Sequence, residues 1–440
     1  MIEQEIREGY KQTEVGFIPD DWVCKPLGEY GDVVRGGSPR PAGDPKYFKG
    51  NYIPWLTVAS LTNIPSSQLY VTSTATMLTK LGSLQSRTLD KGTLIISNSG
   101  ATLGVAKILG IKCCANDGVA AIINQRIGNK EFLVQFINTK TKELHDEVAT
   151  GNGQPNLNTD LIRIIPTPYP PEKEQTAIAN ALSDVDALIT SLESLITKKR
   201  AIKTAAMQQL LTGKKRLPPF DKTHTGYKQT ELGEIPEDWE WKLLPELVIS
   251  GGNAIKIGPF GSALKKEYLT KDGYKVYGQE NVYDKDMVVG DRFIDHEHYS
   301  QLVSCSIKPG DFLISMMGTV GKCFIVPKVM QEGIMDSHLL RLRIDRNKLD
   351  KKLLIQFFQS PLVLRQIKQL SVGGIMEGLS SKIIKSIAVP VGSIEEQKKI
   401  AQALESVDTE VDAIAQRLTK TRQLKQGMMQ ELLTGKTRLV

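Results

Sequence analysis

The sequence has no apolar run of about 18 residues, the length that a membrane-spanning helix requires, so we expect no transmembrane segment. It has only five cysteines, and none of them forms a Cys-x-x-Cys pair: Cys24, Cys113, Cys114, Cys305 and Cys323. This scarcity argues against a disulfide framework and against a cysteine-based zinc site. The first residues are polar and lack the apolar core of a signal peptide. Together these absences predict a soluble, cytoplasmic protein that contacts no membrane.

Motifs that carry catalytic chemistry are also missing. Residues 318–323 (GTVGKC) resemble a phosphate-binding loop but lack its spacing and its final hydroxyl. Residues 167–171 (TPYPP) contain the letters of an amino-methyltransferase tetrapeptide in the wrong order, and no glycine-rich loop is placed to bind S-adenosylmethionine. Residues 295–298 (DHEH) offer two histidines without a third metal ligand, so we interpret them as a solvated loop. We therefore predict a chain with no catalytic site, no metal and no cofactor of its own.

The dominant feature of the sequence is an internal repeat. Residues 10–27 (YKQTEVGFIPDDWVCKPL) match residues 227–244 (YKQTELGEIPEDWEWKLL), and residues 207–217 (MQQLLTGKKRL) match residues 429–439 (MQELLTGKTRL). The chain is thus predicted to be a tandem duplication. The ends of the two halves agree well, whereas about 100 residues in the middle of each agree only at isolated positions. Two interpretations remain open: a shared scaffold with different contents, or drift in unconstrained loops.

Each half ends in a long helical pattern. Residues 172–212 contain neither glycine nor proline and stop at Gly213, a good helix-terminating residue. Apolar residues spaced alternately by three and four residues predict a coiled-coil seam in both halves. Polar residues interrupt this seam at Lys199 and Lys203, and again at Thr421 and Lys425. The predicted seam residues are Ile178, Leu182, Val185, Ile189, Leu192, Ile196, Ile400, Leu404, Val407, Val411, Ile414 and Leu418.

The direction of the two helices follows from the short connection between them. About 26 residues separate Thr212 from Trp239, and a parallel pair would stretch them along a helix of about 60 Å. We therefore predict an antiparallel coiled coil with a pseudo-two-fold axis and one globular domain at each end. The alternative is two separate amphipathic helices, each packed on its own domain.

The globular parts are predicted to be mixed α/β domains, so the fold class is α+β. Apolar, β-rich runs alternate with turn residues, and helices are expected near 131–144 and 353–367. The strand-like runs are TLIIS (93–97), VAAIIN (119–124), DFLIS (311–315) and LLRLRI (339–344). The predicted boundaries are 1–170 and 239–392 for the domains, 171–213 and 393–434 for the helices, 214–238 for a linker and 435–440 for a tail.

The remaining chemistry is that of recognition. The formal net charge is +7, and two divergent segments, 35–55 and 252–283, mix basic residues with aromatic and amide side chains. Basic side chains contact phosphates, whereas amides and arginines hydrogen-bond to base edges. Asn98 and Ser99 are further candidates, because they follow a matched strand after which the other half has Met316 and Met317. Candidate DNA-contacting residues from the two segments are Arg35, Ser38, Arg40, Lys46, Tyr47, Lys49, Lys256, Phe260, Ser262, Lys265, Lys266, Gln279 and Asn281.

These features together resemble the specificity (S) subunits of type I restriction-modification enzymes over nearly the whole chain. The resemblance rests on residues 170–175 (PPEKEQ) with 178–182 (IANAL), and on 395–397 (EEQ) with 400–404 (IAQAL), each followed by a helix that ends in LLTGK. It includes the PDDW and PEDW segments that end at Trp22 and Trp239, and residues 154–157 (QPNL). The last motif adds Gln154 and Asn156 to the candidate DNA contacts.

The resemblance implies two target recognition domains that bind a bipartite, asymmetric site on double-stranded DNA with a non-specific spacer. It implies that the helices act as a ruler and as a docking surface for two modification subunits, which methylate adenine with S-adenosylmethionine. Restriction subunits that use ATP and Mg²⁺ would join that core, so the chain itself would be a non-catalytic subunit. A rigid ruler of this length allows half-site centres about one to one and a half DNA turns apart.

Two other classes of function remain as alternatives. A coiled-coil scaffold with two protein-binding domains would have the same architecture but would show no salt-dependent binding to DNA. A catalytic DNA methyltransferase would need the cofactor loop and the tetrapeptide that the sequence lacks.

Overall fold

The computed structural model describes residues 8–100, 102–148, 156–222, 226–230, 232–318, 321–370 and 379–439. The chain divides into two compact units. Unit 1 comprises residues 1–195 and 414–440, and unit 2 comprises residues 196–413. Within the described part, no helix is long and apolar enough to cross a membrane.

Unit 1 is a mixed α/β domain with short strands. Its strands are β1 (Tyr10–Thr13), β2 (Gly16–Pro19), β3 (Val23–Pro26), β4 (Asp32–Arg35), β5 (Ile53–Leu56), β6 (Tyr70–Val71), β7 (Thr76–Leu78), β8 (Arg87–Leu89), β9 (Leu94–Ser97), β10 (Ala106–Leu109), β11 (Cys113–Ala115), β12 (Val119–Ile123) and β13 (Pro166–Tyr169). Its helices are α1 (Pro45–Phe48), α2 (Val58–Thr62), α3 (Lys80–Ser83), α4 (Lys130–Thr139), α5 (Thr141–Glu143) with a π turn over Leu144–Val148, α6 (Thr159–Arg163) and the first part of α7 (Glu172–Leu210).

Two sheets build the core of unit 1. One has five strands in the order β4-β12-β9-β10-β6, and the other has four in the order β7-β5-β11-β8. Strands β9 and β12 are buried on both faces because they lie inside the larger sheet, which explains their unbroken apolar sequences. Helix α4 packs against this core through Leu133, Val134 and Ile137.

Unit 2 repeats this plan with different details. Its strands are β14 (Tyr227–Thr230), β15 (Gly233–Pro236), β16 (Glu240–Leu243), β17 (Ile255–Ile257), β18 (Leu269–Thr270), β19 (Tyr274–Tyr277), β20 (Phe293–Ile294), β21 (Phe312–Ser315), β22 (Cys323–Ile325), β23 (Gly333–Met335), β24 (Leu339–Leu342) and β25 (Ala388–Val391). Its helices are α8 (Gln279–Tyr283), α9 (His296–Gln301), α10 (Lys351–Gln359), α11 (Pro361–Leu370), α12 (Ser381–Lys385) and the first part of α13 (Ile394–Leu432). Its two four-stranded sheets have the orders β17-β24-β21-β22 and β18-β20-β19-β23.

The two long helices pack on each other within each unit. In unit 1, the first part of α7 contacts the last part of α13, where Asp186 pairs with Lys425 at 2.8 Å and Glu193 with Arg422 at 2.6 Å. In unit 2, the last part of α7 contacts the first part of α13, where Lys199 pairs with Glu410 and Lys203 with Asp408. In both units the partner number falls as the α7 number rises, so the predicted antiparallel arrangement is confirmed.

The predicted seam is the packed face of these helices. Nine of its twelve residues are buried, and Val185, Val407 and Ile414 are partly buried. Two of its polar interruptions are explained by the ion pairs. Lys425 and Lys203 each reach an aspartate of the opposite helix, and an amide from the adjacent domain, Gln135 or Gln356, donates to that same aspartate.

A second repeated cluster joins the end of a long helix to the start of a domain. In unit 1, the indole of Trp22 donates to Glu174 at 3.0 Å, and Arg438 bridges Glu174 and Asp21. In unit 2, Trp239, Glu396, Arg216 and Asp238 make the same contacts. The motifs PDDW and LLTGK therefore occur together because they form one structural joint.

The glycine of each LLTGK motif is required by this joint. Gly213 and Gly435 both have φ of +69°, a left-handed conformation that favours glycine. A side chain there would also collide with Pro236 or Pro19, at 2.5 Å in both units.

Three local expectations need correction. The helix expected over 353–367 is two helices, because Ser360 has an extended ψ of 150° and Pro361 starts a new one. Residues 295–298 are not a loop: Asp295 caps helix α9 by accepting from the His298 backbone. The segment 214–238, expected to be a linker, contains the hairpin β14–β15, which pairs antiparallel like β1–β2.

Candidate nucleic-acid interface

In unit 1, three neighbouring strands bring their polar ends to one edge of the sheet. Strand β12 lies between β4 and β9 and runs antiparallel to both. The residues that follow β4 and β9 therefore lie beside those that precede β12. We call this surface, residues 35–40, 98–100 and 116–118, the strand-end surface of unit 1.

Asp117 organises the basic part of this surface. Its backbone oxygen accepts from Arg35 Nε at 2.6 Å, and its carboxylate accepts from Ser38 Oγ at 2.7 Å and from Arg40 at 3.4 Å. The Ser38 hydroxyl, with Arg35 and Arg40, holds the pKa of Asp117 below its usual value. The predicted residues Arg35, Ser38 and Arg40 are thus brought together, and Arg40 still exposes 74% of its side chain.

Two residues of this cluster were missed by sequence reasoning. Asp117 is acidic and was not sought in a search for basic and amide side chains. Arg87 begins β8 and donates its Nε to the Arg35 backbone oxygen at 2.7 Å, which ties the basic segment to the second sheet. The available signal for Asp117 was the turn sequence Asn116-Asp-Gly118 directly before a buried strand.

The amide part of the surface holds unsatisfied polar atoms. Asn98 is 1% exposed, and neither side-chain atom has a hydrogen-bond partner; Oδ1 of Asn116 also lacks one. A buried polar atom without a partner costs about 1–3 kcal/mol, so such atoms call for a functional explanation. A Cβ at Gly118 would lie 2.9 Å from Ser99 Oγ and 3.5 Å from Asn116 Nδ2, which places these groups together. Asn156 forms an isolated antiparallel β-bridge with Ser99 through the backbone. Gln154 lies outside the described residues.

Unit 2 has an equivalent surface, and hydrogen bonds define the correspondence. Gly36 donates to the Val119 oxygen and Gly258 to the Leu339 oxygen, while the backbone of Asn98 donates to Gly118 and that of Met316 to His338. A side chain on either glycine would collide with a backbone oxygen, of Asn116 at 2.1 Å or of Asp336 at 1.9 Å. The strand-end surface of unit 2 is therefore residues 258–262, 316–318 and 336–338.

The contents of the unit 2 surface differ from those of unit 1. Phe260 stands where unit 1 has Ser38, Met316 and Met317 replace Asn98 and Ser99, and Asp336 replaces Asn116. Asp336 is buried and pairs with Arg292 at 3.0 Å; Arg292 also pairs with Glu280. Gln279, at the start of α8, has a buried Oε1 without a partner. Ser262 is exposed beside Phe260.

Other predicted contacts lie away from these surfaces or inside the domain. Tyr47 is buried and its hydroxyl accepts from Gln85, while Asn281 is fully buried with bonds to Gly278, Asp286 and Val289. Both side chains are therefore held by hydrogen bonds within their own domains. Lys46 and Lys49 are exposed on and after α1, before the start of β5. Lys256 lies within β17, and Lys265 and Lys266 are exposed after the unit 2 surface.

A metal-binding cluster does not emerge from the described residues, in which no group of three or more histidine, cysteine or acidic side chains could hold an ion. The architecture thus defines a duplicated protein in which two related domains carry equivalent surfaces on a shared scaffold. A model of the family "Type I restriction modification DNA specificity domain" matches residues 19–203 and 236–423. The chain belongs to this family of type I restriction-modification specificity subunits, whose members are in general non-catalytic.

Named relatives agree over the full length. The chain is 25% identical to the type I restriction enzyme MjaVIII specificity subunit of Methanocaldococcus jannaschii, covering 98% of this chain and 96% of the relative. It is 22% identical to the EcoKI specificity subunit of Escherichia coli, covering 96% and 90%. The crystal structure of the S subunit from M. genitalium superimposes with a TM-score of 0.55 at 15% identity, covering 98% of both chains. The fold is therefore that of an S subunit, and the resemblance found in the sequence is confirmed.

Proposed function

We propose that this chain is the DNA sequence-recognition subunit of a type I restriction-modification complex. Each unit binds one half of a bipartite, asymmetric site on double-stranded DNA, and a non-specific spacer separates the halves. The family description supports recognition of DNA by this chain. The two half-sites and the partners are our inference.

One observation carries this proposal. The two strand-end surfaces have the same backbone framework, yet equivalent positions hold different side chains, such as Ser38 and Phe260. Loops that drift freely are solvated, whereas this surface of unit 1 holds buried amide atoms without hydrogen-bond partners. Unit 1 has such amides at Asn98 and Asn116, beside exposed arginine, which is the chemistry that binds base edges and phosphates.

The long helices are proposed to serve as a ruler and as the docking site of two modification subunits. Helix α7 has 39 residues and is about 58 Å long. In unit 1 its side chains Leu188 and Leu195 lie seven residues apart and remain 38% exposed outside the seam. An apolar row with heptad spacing suits a helix of a partner protein. The second unit exposes Ile202 of the same helix.

The chemistry of modification and restriction is assigned to the partners. We propose that S-adenosylmethionine is used by the modification subunits and ATP and Mg²⁺ by the restriction subunits, in the cytoplasm. The present chain then contributes binding, orientation and spacing alone.

The scaffold alternative is separated from this proposal by the salt dependence of DNA binding. We would purify the chain with its modification subunits and compare Arg35→Ala/Arg40→Ala with the control Lys91→Ala/Lys112→Ala. The control lysines are exposed at the other ends of β9 and β11 and remove the same charge. Loss of the arginines should lower the slope of log K against log salt by about 1–2, whereas the control should leave it unchanged. Binding without salt dependence, or equal effects of both pairs, would support the scaffold.

A further inference from the structure

The strand-end surface of unit 2 is apolar at three positions where that of unit 1 is polar. Phe260, Met316 and Met317 correspond to Ser38, Asn98 and Ser99 through the shared backbone hydrogen bonds. These differences between the units lie at the edge of the sheet where the strands end. The preceding strands, β9 in unit 1 and β21 in unit 2, are both apolar and buried. The two units therefore present different recognition chemistry on one framework.

Two of the apolar side chains are directed to solvent. Phe260 is 65% exposed and Met317 is 48% exposed, whereas Met316 is buried in the core. Two large exposed apolar side chains on one strand-end surface can cover an apolar group of a ligand. Lys265 and Lys266 follow this surface in the sequence and are exposed. Lys265 pairs with Glu267 at 3.0 Å, and Lys266 adds a basic side chain that suits a polyanionic ligand.

The backbone at Met317 is held firmly. The Tyr283 hydroxyl donates to the Met317 backbone oxygen at 2.7 Å, and Ser315 Oγ donates to the same oxygen at 3.0 Å. A Cβ at Gly318 would lie 2.8 Å from the Tyr283 hydroxyl, so this turn packs closely on helix α8. The side chain of Met317 is thus presented from a fixed point rather than from a loose loop.

The strand order of unit 2 suits contacts with bases about three steps apart. Phe260 follows β17 and Met317 follows β21, and β24 lies between these strands. Two strand spacings make about 10 Å, which corresponds to about three base steps along a DNA strand.

We propose that unit 2 recognises its half-site through the 5-methyl groups of thymine, contacted by Phe260 and Met317, whereas unit 1 relies on hydrogen bonds. This inference rests on the proposed function. In the major groove, only thymine among the four bases offers a methyl group, and an apolar side chain distinguishes it by contact. Unit 2 therefore requires at least one thymine in the part of the site that it binds.

The test uses the complex with modification subunits and duplexes that carry the mapped recognition site. Deoxyuridine replaces thymine in one half-site at a time, which removes only the methyl group. Burial of one methyl-sized group is worth about fourfold in affinity, so each contacted thymine in the unit 2 half-site should weaken binding about fourfold when replaced. The same replacement in the unit 1 half-site should change affinity by less than about twofold.

Two variants assign the effect to the named side chains. Phe260→Ser and Met317→Ser should bind thymine and deoxyuridine duplexes equally in the unit 2 half-site, and Ser38→Ala with Ser99→Ala should keep the discrimination. All four positions are at least partly exposed, and an unchanged melting temperature confirms folding.

A unit 2 half-site without thymine, or deoxyuridine binding as tightly as thymine, would overturn the inference. The serine variants could also lose the same factor of affinity for the thymine duplex and for the deoxyuridine duplex. That result would overturn the inference, because the side chains would then act on base stacking and not on the methyl group. Failure of the wild-type complex to bind any duplex would instead refute the proposed function.

Discussion

At the residue scale, the most unusual group is Lys107 of β10. It is buried, and its ammonium donates to the backbone oxygens of Pro65 at 3.0 Å and Gln68 at 2.6 Å. Burial, with a contribution from Lys425, lowers the pKa of Lys107 to about 8, and Asp186 opposes the shift. The equivalent position in unit 2 is Phe324, since Lys107 pairs with Ile95 as Phe324 pairs with Leu313.

This lysine gives the stability of the protein a pH dependence with a definite sign. Below pH 8 both the folded and the unfolded chain bind the proton, so the cost of burying the charge is constant. Between pH 8 and about 10.5 the unfolded chain still binds the proton but the folded chain does not, so stability rises with pH. Relative to Lys107→Met, the free energy of unfolding of the wild type should rise by about 2 kcal/mol between pH 7.5 and 9.5. Urea unfolding of both proteins at the two pH values measures this gain, and parallel pH profiles would contradict it.

The residues of the candidate site were predictable only in part. Arg35, Ser38, Arg40, Asn98 and Ser99 could be proposed because residue type and divergence between halves are visible in the sequence. The role of Asp117 could not, because its partners come from a segment about 80 residues earlier in the chain. Tyr47 and Asn281 were proposed from residue type alone, which does not show that each side chain is hydrogen-bonded inside its domain.

At the element scale, the long helices were the most predictable part of the fold. Their seam depends on local spacing alone, which a single sequence displays completely. The short strands and the break at Ser360 depend on neighbours far along the chain, so their boundaries could not be derived. The polar seam positions were visible, but their partners Asp186 and Asp408 were not.

These two aspartates occupy equivalent places but differ in burial, which makes their removal a matched comparison. Asp186 exposes 5% of its side chain and faces Lys425, Lys107 and Gln135, whereas Asp408 exposes 36%. Asp186→Ala leaves the buried ammonium of Lys107 and the largely buried ammonium of Lys425 without a carboxylate, and it should cost about 3–5 kcal/mol of unfolding free energy.

Asp408→Ala should cost much less, about 1 kcal/mol, because Lys203 keeps its bond to Gln359 and the site reaches solvent. Urea unfolding of the two variants gives the comparison. Equal losses would show that burial does not set the strength of these pairs.

At the scale of the whole molecule, duplication would allow one chain to bind the asymmetric site that we propose. Each unit contains the same joint, the same tethered aspartate in the helix pair and the same strand-end framework. The scaffold is shared while the surfaces differ. A change in one domain should therefore alter one half of the recognised site and leave the other unchanged.

The most direct test is to map adenine methylation across a genome in cells that express the chain with its modification subunit. The map is repeated after residues 22–170 are replaced by the corresponding domain of a relative with a different specificity. Our account predicts a split, asymmetric motif in which the exchange alters one half and preserves the other. A continuous motif, or a motif that does not change after the exchange, would contradict the assignment of one half-site to each unit.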